Sequence, residues 1–339
     1  MDLYIIYTYF EGGTSMNLKG IHHVSAMTAK AKENYAFYTK VLGLRLIKKT
    51  VNQDNPSVYH LFYGDEQGNP GTELTFFEIP HMAPNREGVS SISATSLRVP
   101  SDKALDYWVK RLDDFGVNHG DITERAGRLT LEFRDFETQR FFLVSDEHDP
   151  FVKAGSPWDK SSVPTEFAIT GLGPVQLTVR RSEATVRVLT DLLGFRLKDT
   201  YPSTFENQPS IQVYETGEGG SDAEIHLEER TDLKVQRLGR GGVHHVAFRA
   251  DNEDELHTWI EKINEARFQN SGFVDRYYFK SLYFREPNGI LFEIATDGPG
   301  FATDEALEHL GESLALPPFL ETKRADIEAI LEPLDTSSK

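Results

Sequence analysis

The sequence predicts an α+β fold of four βαβββ modules in two paired-module halves. One observation behind this is a recurring order, a strand, an amphipathic helix and then further strands, met four times between residues 17 and 297. A second is spacing. Leu42-Gly43-Leu44-Arg45 returns as Leu193-Gly194-Phe195-Arg196, and Leu105 with Trp108 returns as Leu256 with Trp259, each 151 residues on. The third is a histidine pair that opens both outer modules, in Gly20-Ile21-His22-His23-Val24 and Gly242-Val243-His244-His245-Val246. Two independent matches at one offset mark a duplicated half. The expected boundaries are an N-terminal half at 16–152, a linker at 153–166, a C-terminal half at 167–300 and a packing tail at 301–339.

In chain order, residues 1–15 read as a disordered, dispensable extension, because Met16 stands just ahead of the first organised strand. Module one is a strand at 20–27, a helix at 31–42 and strands at 44–51, 57–63 and 73–78. The helix puts Tyr35, Tyr38, Val41 and Leu42 on one face and stops at Gly43. Gly68-Asn69-Pro70-Gly71 turns the chain before the last strand. Module two has strands at 92–99, 120–125, 128–134 and 140–144, with a helix at 103–115 capped by Ser101 and ended near Gly116. A stretch rich in Gly, Ser and Pro at 153–164 separates the halves. Module three opens at 171–179 with a helix at 183–193, and module four spans 241–297 with a helix near 254–266. Its last two strands, 277–284 and 290–295, flank a turn at Glu286-Pro287-Asn288-Gly289. The tail at 303–334 reads as two helical pieces around Pro317-Pro318, with Ile327, Ile330 and Leu331 as a docking face.

The 339 residues carry 36 basic and 53 acidic side chains, a formal charge of −17. An acidic balance without a basic run argues against nucleic acid and anionic membranes as partners. The early apolar run at 3–10 is too short to span a bilayer, so the cytoplasm is the default compartment. There is no Cys, so thiolate metal sites and cysteine nucleophiles are excluded, and any metal must use imidazole, carboxylate or water.

Glu293 lies inside an apolar strand between Phe292 and Ile294, where a lone carboxylate is costly unless a cation meets it. With one histidine from each pair it makes a two-imidazole, one-carboxylate metal set. Adjacent strand residues face opposite ways, so only one histidine of a pair can point at a given site. The second of each, His23 and His245, is the chosen ligand. Lining up the modules puts Ser96 and Gln176 in the imidazole positions of modules two and three. Thr75, roughly Phe142, and either Glu224 or His226 stand where module four has Glu293. Two His and one carboxylate leave half of an octahedral ion open, a pattern suited to non-heme Fe(II) binding a substrate oxygen and O₂ together. A closed four-ligand set would instead favour Lewis-acid chemistry. His60 could line the cavity or satisfy a strand partner, and His81, His119, His148, His257 and His309 read as solvated.

These repeats, the two histidine strands and Glu286-Pro287-Asn288-Gly289 with Phe292-Glu293 resemble the vicinal oxygen chelate superfamily of glyoxalases, bleomycin-resistance proteins and extradiol dioxygenases. Tyr59-His60-Leu61-Phe62-Tyr63-Gly64-Asp65, Gly68-Asn69-Pro70-Gly71-Thr72 and residues 275–285 bring the likeness nearest to the hydroquinone-cleaving dioxygenases, over residues 16–333. The resemblance implies a glyoxalase/extradiol dioxygenase-like fold and a metal triad of His23, His245 and Glu293. It implies an Fe(II) cofactor, with Mn(II) or another divalent metal as alternative, and a small aromatic diol and O₂ as partners. It also implies supporting roles for His22, His244, Arg276 and Tyr283, of which the two histidines reach substrate only where their strands twist or bulge. Arg276 would offset phenolate charge, and Tyr283 would hydrogen-bond a ring hydroxyl or move a proton. A glyoxalase I-like isomerase is the first rival, usually needing a fourth protein ligand that Thr75 replaces poorly. A non-catalytic aromatic-binding protein is the second. One chain suffices for the site, and homo-oligomers stay open.

Overall fold

A computed structural model describes residues 16–149 and 152–337, so the expected extension at 1–15 lies outside the described residues. Two eight-stranded sheets carry the fold, each drawing one module from either half of the chain. The first joins modules one and four. Its strands are β1 (Ile21–Thr28), β2 (Arg45–Asn52), β3 (Asn55–Gly64), β4 (Glu73–Glu78), β13 (Val243–Ala250), β14 (Val274–Asp275), β15 (Phe279–Arg285) and β16 (Leu291–Pro299), in the order β14-β15-β16-β13-β1-β4-β3-β2. The second joins modules two and three, with β5 (Ser91–Val99), β6 (His119–Arg125), β7 (Arg128–Arg134), β8 (Arg140–Ser145), β9 (Gly171–Val179), β10 (Arg196–Tyr201), β11 (Ile211–Glu215) and β12 (Glu224–Glu229). In each sheet the two opening strands meet antiparallel at the centre, β1 with β13 and β5 with β9. Strands from opposite ends of the chain therefore share one sheet.

Helices α2 (Asp102–Asp114) and α4 (Glu253–Glu265) bury Trp108 and Trp259 at matching positions. Each starts on a side-chain cap, with Ser101 Oγ accepting from the Ala104 amide at 3.2 Å and Asn252 Oδ1 from the Glu255 amide at 3.0 Å. The helices of modules one and three, α1 (Ala31–Ala36) and α3 (Glu183–Arg187), both widen into a π turn, over Phe37–Val41 and Val188–Leu192. Both then stop at a glycine in the left-handed region, Gly43 and Gly194.

The tail differs from its expected form. Both of its α-helices, α5 (Pro318–Glu321) and α6 (Arg324–Ile330), follow Pro317, and only short 3₁₀ turns precede it. Pro318 fits the first turn of α5, where no amide proton is needed. Ile327 and Leu331 are buried as a docking face requires, whereas Ile330 is exposed because it falls on the far side of α6. The tail is fastened to β2 through Lys48, whose buried ammonium meets Asp304 at 2.7 Å and Glu305 at 2.5 Å.

The strand registers correct the module alignment. Ser25 pairs with Thr75 and Gln176 with His226, while Ala247 pairs with Glu293 and Ser96 with Phe142. Each couple repeats its partner 151 residues away. The counterparts of His23 and His245 are therefore Pro174 and Ala94, not Gln176 and Ser96, and His226 occupies the slot of Thr75. A shift of two keeps a residue on the same face, so alternation alone could not detect the slip. At the matching positions modules two and three thus offer a proline, an alanine, a phenylalanine and one imidazole, which make no metal set. The Arg125 guanidinium lies 3.7 Å from the Phe142 ring centroid, and the remaining cavity there is only about 10 Å³.

Glu224 anchors that closed region. It accepts both Arg128 amino groups at 3.0 and 2.9 Å and Lys198 Nζ at 2.7 Å, with His226 Nε2 at 3.2 Å. Burial alone would raise its pKa, but His226 and Arg128 outweigh burial and bring it down from 4.5 to about 2. A carboxyl with a depressed folded pKa stabilises the fold above its unfolded value and loses that contribution as pH falls through the folded one. Urea unfolding should therefore show about 3 kcal/mol lost between about pH 4.5 and pH 2. Glu224→Gln should flatten that slope; an unchanged slope would remove Glu224 from the account.

Candidate metal centre

His23 on β1, His245 on β13 and Glu293 on β16 meet at the middle of the first sheet. His23 Nε2 lies 3.2 Å from His245 Nε2 and 3.1 Å from Glu293 Oε2, and His245 Nε2 lies 2.9 Å from the same oxygen. All three side chains are buried. Glu293 Oε1 accepts the Ser281 hydroxyl at 2.5 Å, but Oε2 is sealed from solvent and has no hydrogen-bond partner among the described residues. Ligand atoms bound about 2.1 Å from one ion, at right angles to each other, stand about 3.0 Å apart. The three observed separations match a divalent ion in a facial set.

Two β-bulges place the partner histidines. Along the β1–β13 ladder Ile21 faces Phe248 and His23 faces Ala247, so His22 is an extra residue in β1. Further on, Ser25 faces His245 and Ala26 faces Val243, so His244 is an extra residue in β13. The bulges break strict alternation, and each pair of rings can touch: His22 Nδ1 is 3.0 Å from His23 Nδ1, and His244 Nδ1 is 2.8 Å from His245 Nδ1. Burial, then the neighbouring His23, lowers the His22 pKa to about 3, so His22 is neutral. Its Nε2 donates to the Thr296 carbonyl at 3.0 Å, which leaves Nδ1 as an acceptor. His23 must then donate from Nδ1, and its Nε2 lone pair faces Glu293 and His245. This is the tautomer a metal needs. His244 is likewise brought to about 3 by burial and His245, and His245 is lowered by burial. Glu73 Oε2 lies 3.6 Å from His22 Nδ1, but that nitrogen is already committed to His23, so a second metal set does not form there.

The open side of the triad faces a cavity of about 380 Å³. His244, Arg276 and Tyr283 line it, whereas His22 stands behind His23. Arg276 Nε donates to the Tyr283 hydroxyl at 3.2 Å, and its Nη1 meets Asp54 at 3.0 Å. Burial, then Glu293, raises the Tyr283 pKa, so the phenol keeps its proton. Tyr277, next to Arg276, has φ of +70°, a strained backbone that sets the arginine at the cavity rim. Sequence reasoning missed Phe77, Phe279, Phe62 and Met27 in the walls. The signal for three of them was present: His23, Ser25 and Met27, His60 and Phe62, and Thr75 and Phe77 are spaced by two and share a face. His60 lines the cavity, while His81, His148, His257 and His309 are exposed and His119 is half-exposed.

Residues 20–144 and 171–294 each match the Glyoxalase/Bleomycin resistance protein/Dioxygenase superfamily. The Bacillus subtilis protein named "Putative ring-cleaving dioxygenase MhqA" is 56% identical over 319 residues, covering 94% of this chain and all of that protein. The chlorohydroquinone/hydroquinone 1,2-dioxygenase of Sphingobium indicum is 30% identical over 315 residues, 90% of this chain and 93% of its own. A crystal structure from Bacillus subtilis, described as that of a dioxygenase by assignment only, superposes with a TM-score of 0.85 at 34% identity, covering 96% of this chain and 100% of that one. Repeats, sheet order and these matches agree: the chain belongs to the glyoxalase/bleomycin resistance protein/dioxygenase superfamily.

Proposed function

We propose that this protein is a dioxygenase that opens the ring of a hydroquinone- or catechol-type diol, with His23, His245 and Glu293 holding Fe(II), or Mn(II) in its place. The observation that carries the reading is the orphaned Glu293 Oε2 converging with two imidazole nitrogens on the floor of an aromatic-walled cavity. The names of the relatives support the same chemistry. A redox-active metal held there supplies binding of diol and O₂ together and electron exchange between them.

The remaining work falls to the chain. Phe62, Phe77 and Phe279 flank the ring and keep bulk water away. Arg276 places positive charge where a phenolate forms, with Asp54 and Tyr283 fixing its guanidinium. Tyr283, protonated, donates to a ring oxygen, and neutral His244, lining the cavity beside the triad, holds His245 through Nδ1. Quinone detoxification in the cytoplasm is the setting this chemistry suits. The chain's acidic balance makes nucleic acid and anionic membranes poor partners, and among the described residues no helix is long and apolar enough to cross a membrane. A single chain provides every proposed ligand. Against an isomerase stands Thr75, the counterpart of Glu293 in module one, whose hydroxyl is already bonded to Ser25 and His60.

Fe(II)-loaded protein should consume O₂ with chlorinated or methylated hydroquinones in an oxygen electrode. No uptake, together with isomerisation of a thiol hemithioacetal, would replace this reading with the glyoxalase one.

A further inference from the structure

His60 is a polar side chain set among aromatic ones. Its ring centroid lies 3.9 Å from that of Phe62 and 4.1 Å from that of Phe77, and it faces the same cavity as the triad. Its Nε2 is 3.0 Å from Thr75 Oγ1, which is 2.7 Å from Ser25 Oγ. Ser25 pairs with His245 across the sheet. This chain of two hydroxyls fixes the imidazole. The other nitrogen, Nδ1, has no hydrogen-bond partner among the described residues, and it is not one of the sealed polar atoms. Burial lowers the His60 pKa well below its usual value, so the ring is neutral. Whichever tautomer Thr75 selects, Nδ1 offers a lone pair or an N–H, and a phenolic hydroxyl complements both.

Phe77 supplies the scale. Its ring centroid is 4.1 Å from that of His60 and 6.4 Å from that of His245. A ring anchored by one oxygen at the triad occupies the cavity that His60 and Phe77 also line.

We propose that His60 is a specificity-determining residue that hydrogen-bonds the second ring hydroxyl through Nδ1, with Thr75 as the positioning residue that holds it. The proposal rests on the dioxygenase reading, because it needs a ring anchored at the triad. A site built to meet a hydroxyl rejects the analogue that lacks it, since its polar atom is then left unpaired.

The test is anaerobic calorimetric titration of the Fe(II)-loaded protein with hydroquinone and with 4-methylphenol, which lacks the second hydroxyl. The wild type should prefer hydroquinone by about 10- to 100-fold. His60→Leu should erase that preference by weakening hydroquinone alone, and the retained 4-methylphenol binding reports an intact cavity. Thr75→Val should lose part of the preference and Thr75→Ser should keep it, which a merely structural threonine would not show. His60→Leu weakening both rings alike, or neither, would overturn the proposal. Wild-type O₂ uptake separates the two ideas: uptake with no preference sinks the His60 contact alone, and preference without uptake sinks the dioxygenase reading alone.

Discussion

Glu293→Gln is expected to abolish ring opening while leaving the fold intact. The amide keeps the volume of the side chain and an acceptor for Ser281, so the packing around β16 has no reason to change. What it loses is the negative charge that would bind a cation shared with the two imidazoles, which stand 3.1 and 2.9 Å from Oε2. Loss of a supporting residue behind a metal ligand costs about 10–100-fold in affinity, and loss of the only charged ligand should exceed that. Anaerobic competition against a chromophoric chelator measures the affinity, and circular dichroism checks the fold. A variant that binds metal as the wild type does would remove Glu293 from the centre.

His22→Leu should lower metal affinity by about 10–100-fold, although His22 does not line the cavity. The His23 Nδ1 proton then has no acceptor, and nothing selects the tautomer that leaves Nε2 free. The Thr296 carbonyl also loses its donor. The same competition assay reads the effect. Unchanged affinity would mean that the Thr296–His22–His23 chain does not set the tautomer.

The four modules were legible because strand and helix periods and the 151-residue offset are written along the chain. The meeting of His23, His245 and Glu293 followed from their matching places in modules one and four. The registers of modules two and three were not legible. A two-residue slip preserves facing, and only the ladder pairs Ser25–Thr75 and Gln176–His226 fix the count. Nor was the contact between adjacent histidines, since a bulge adds one residue without any change in apolar pattern. The tail resisted for another reason. Its prolines mark where helices cannot continue, but whether the segment before them forms a helix depends on its packing against β2.

The central claim is that the triad brings an aromatic diol and O₂ together so that both oxygen atoms enter one ring-opened product. Mass spectrometry of the product formed under ¹⁸O₂ by the Fe(II)-loaded protein tests it most directly. The expected product carries two labelled atoms at first formation, in amounts that match the O₂ consumed, and is missing with Glu293→Gln. A product with one labelled atom or none, or one formed equally by Glu293→Gln, would contradict the account.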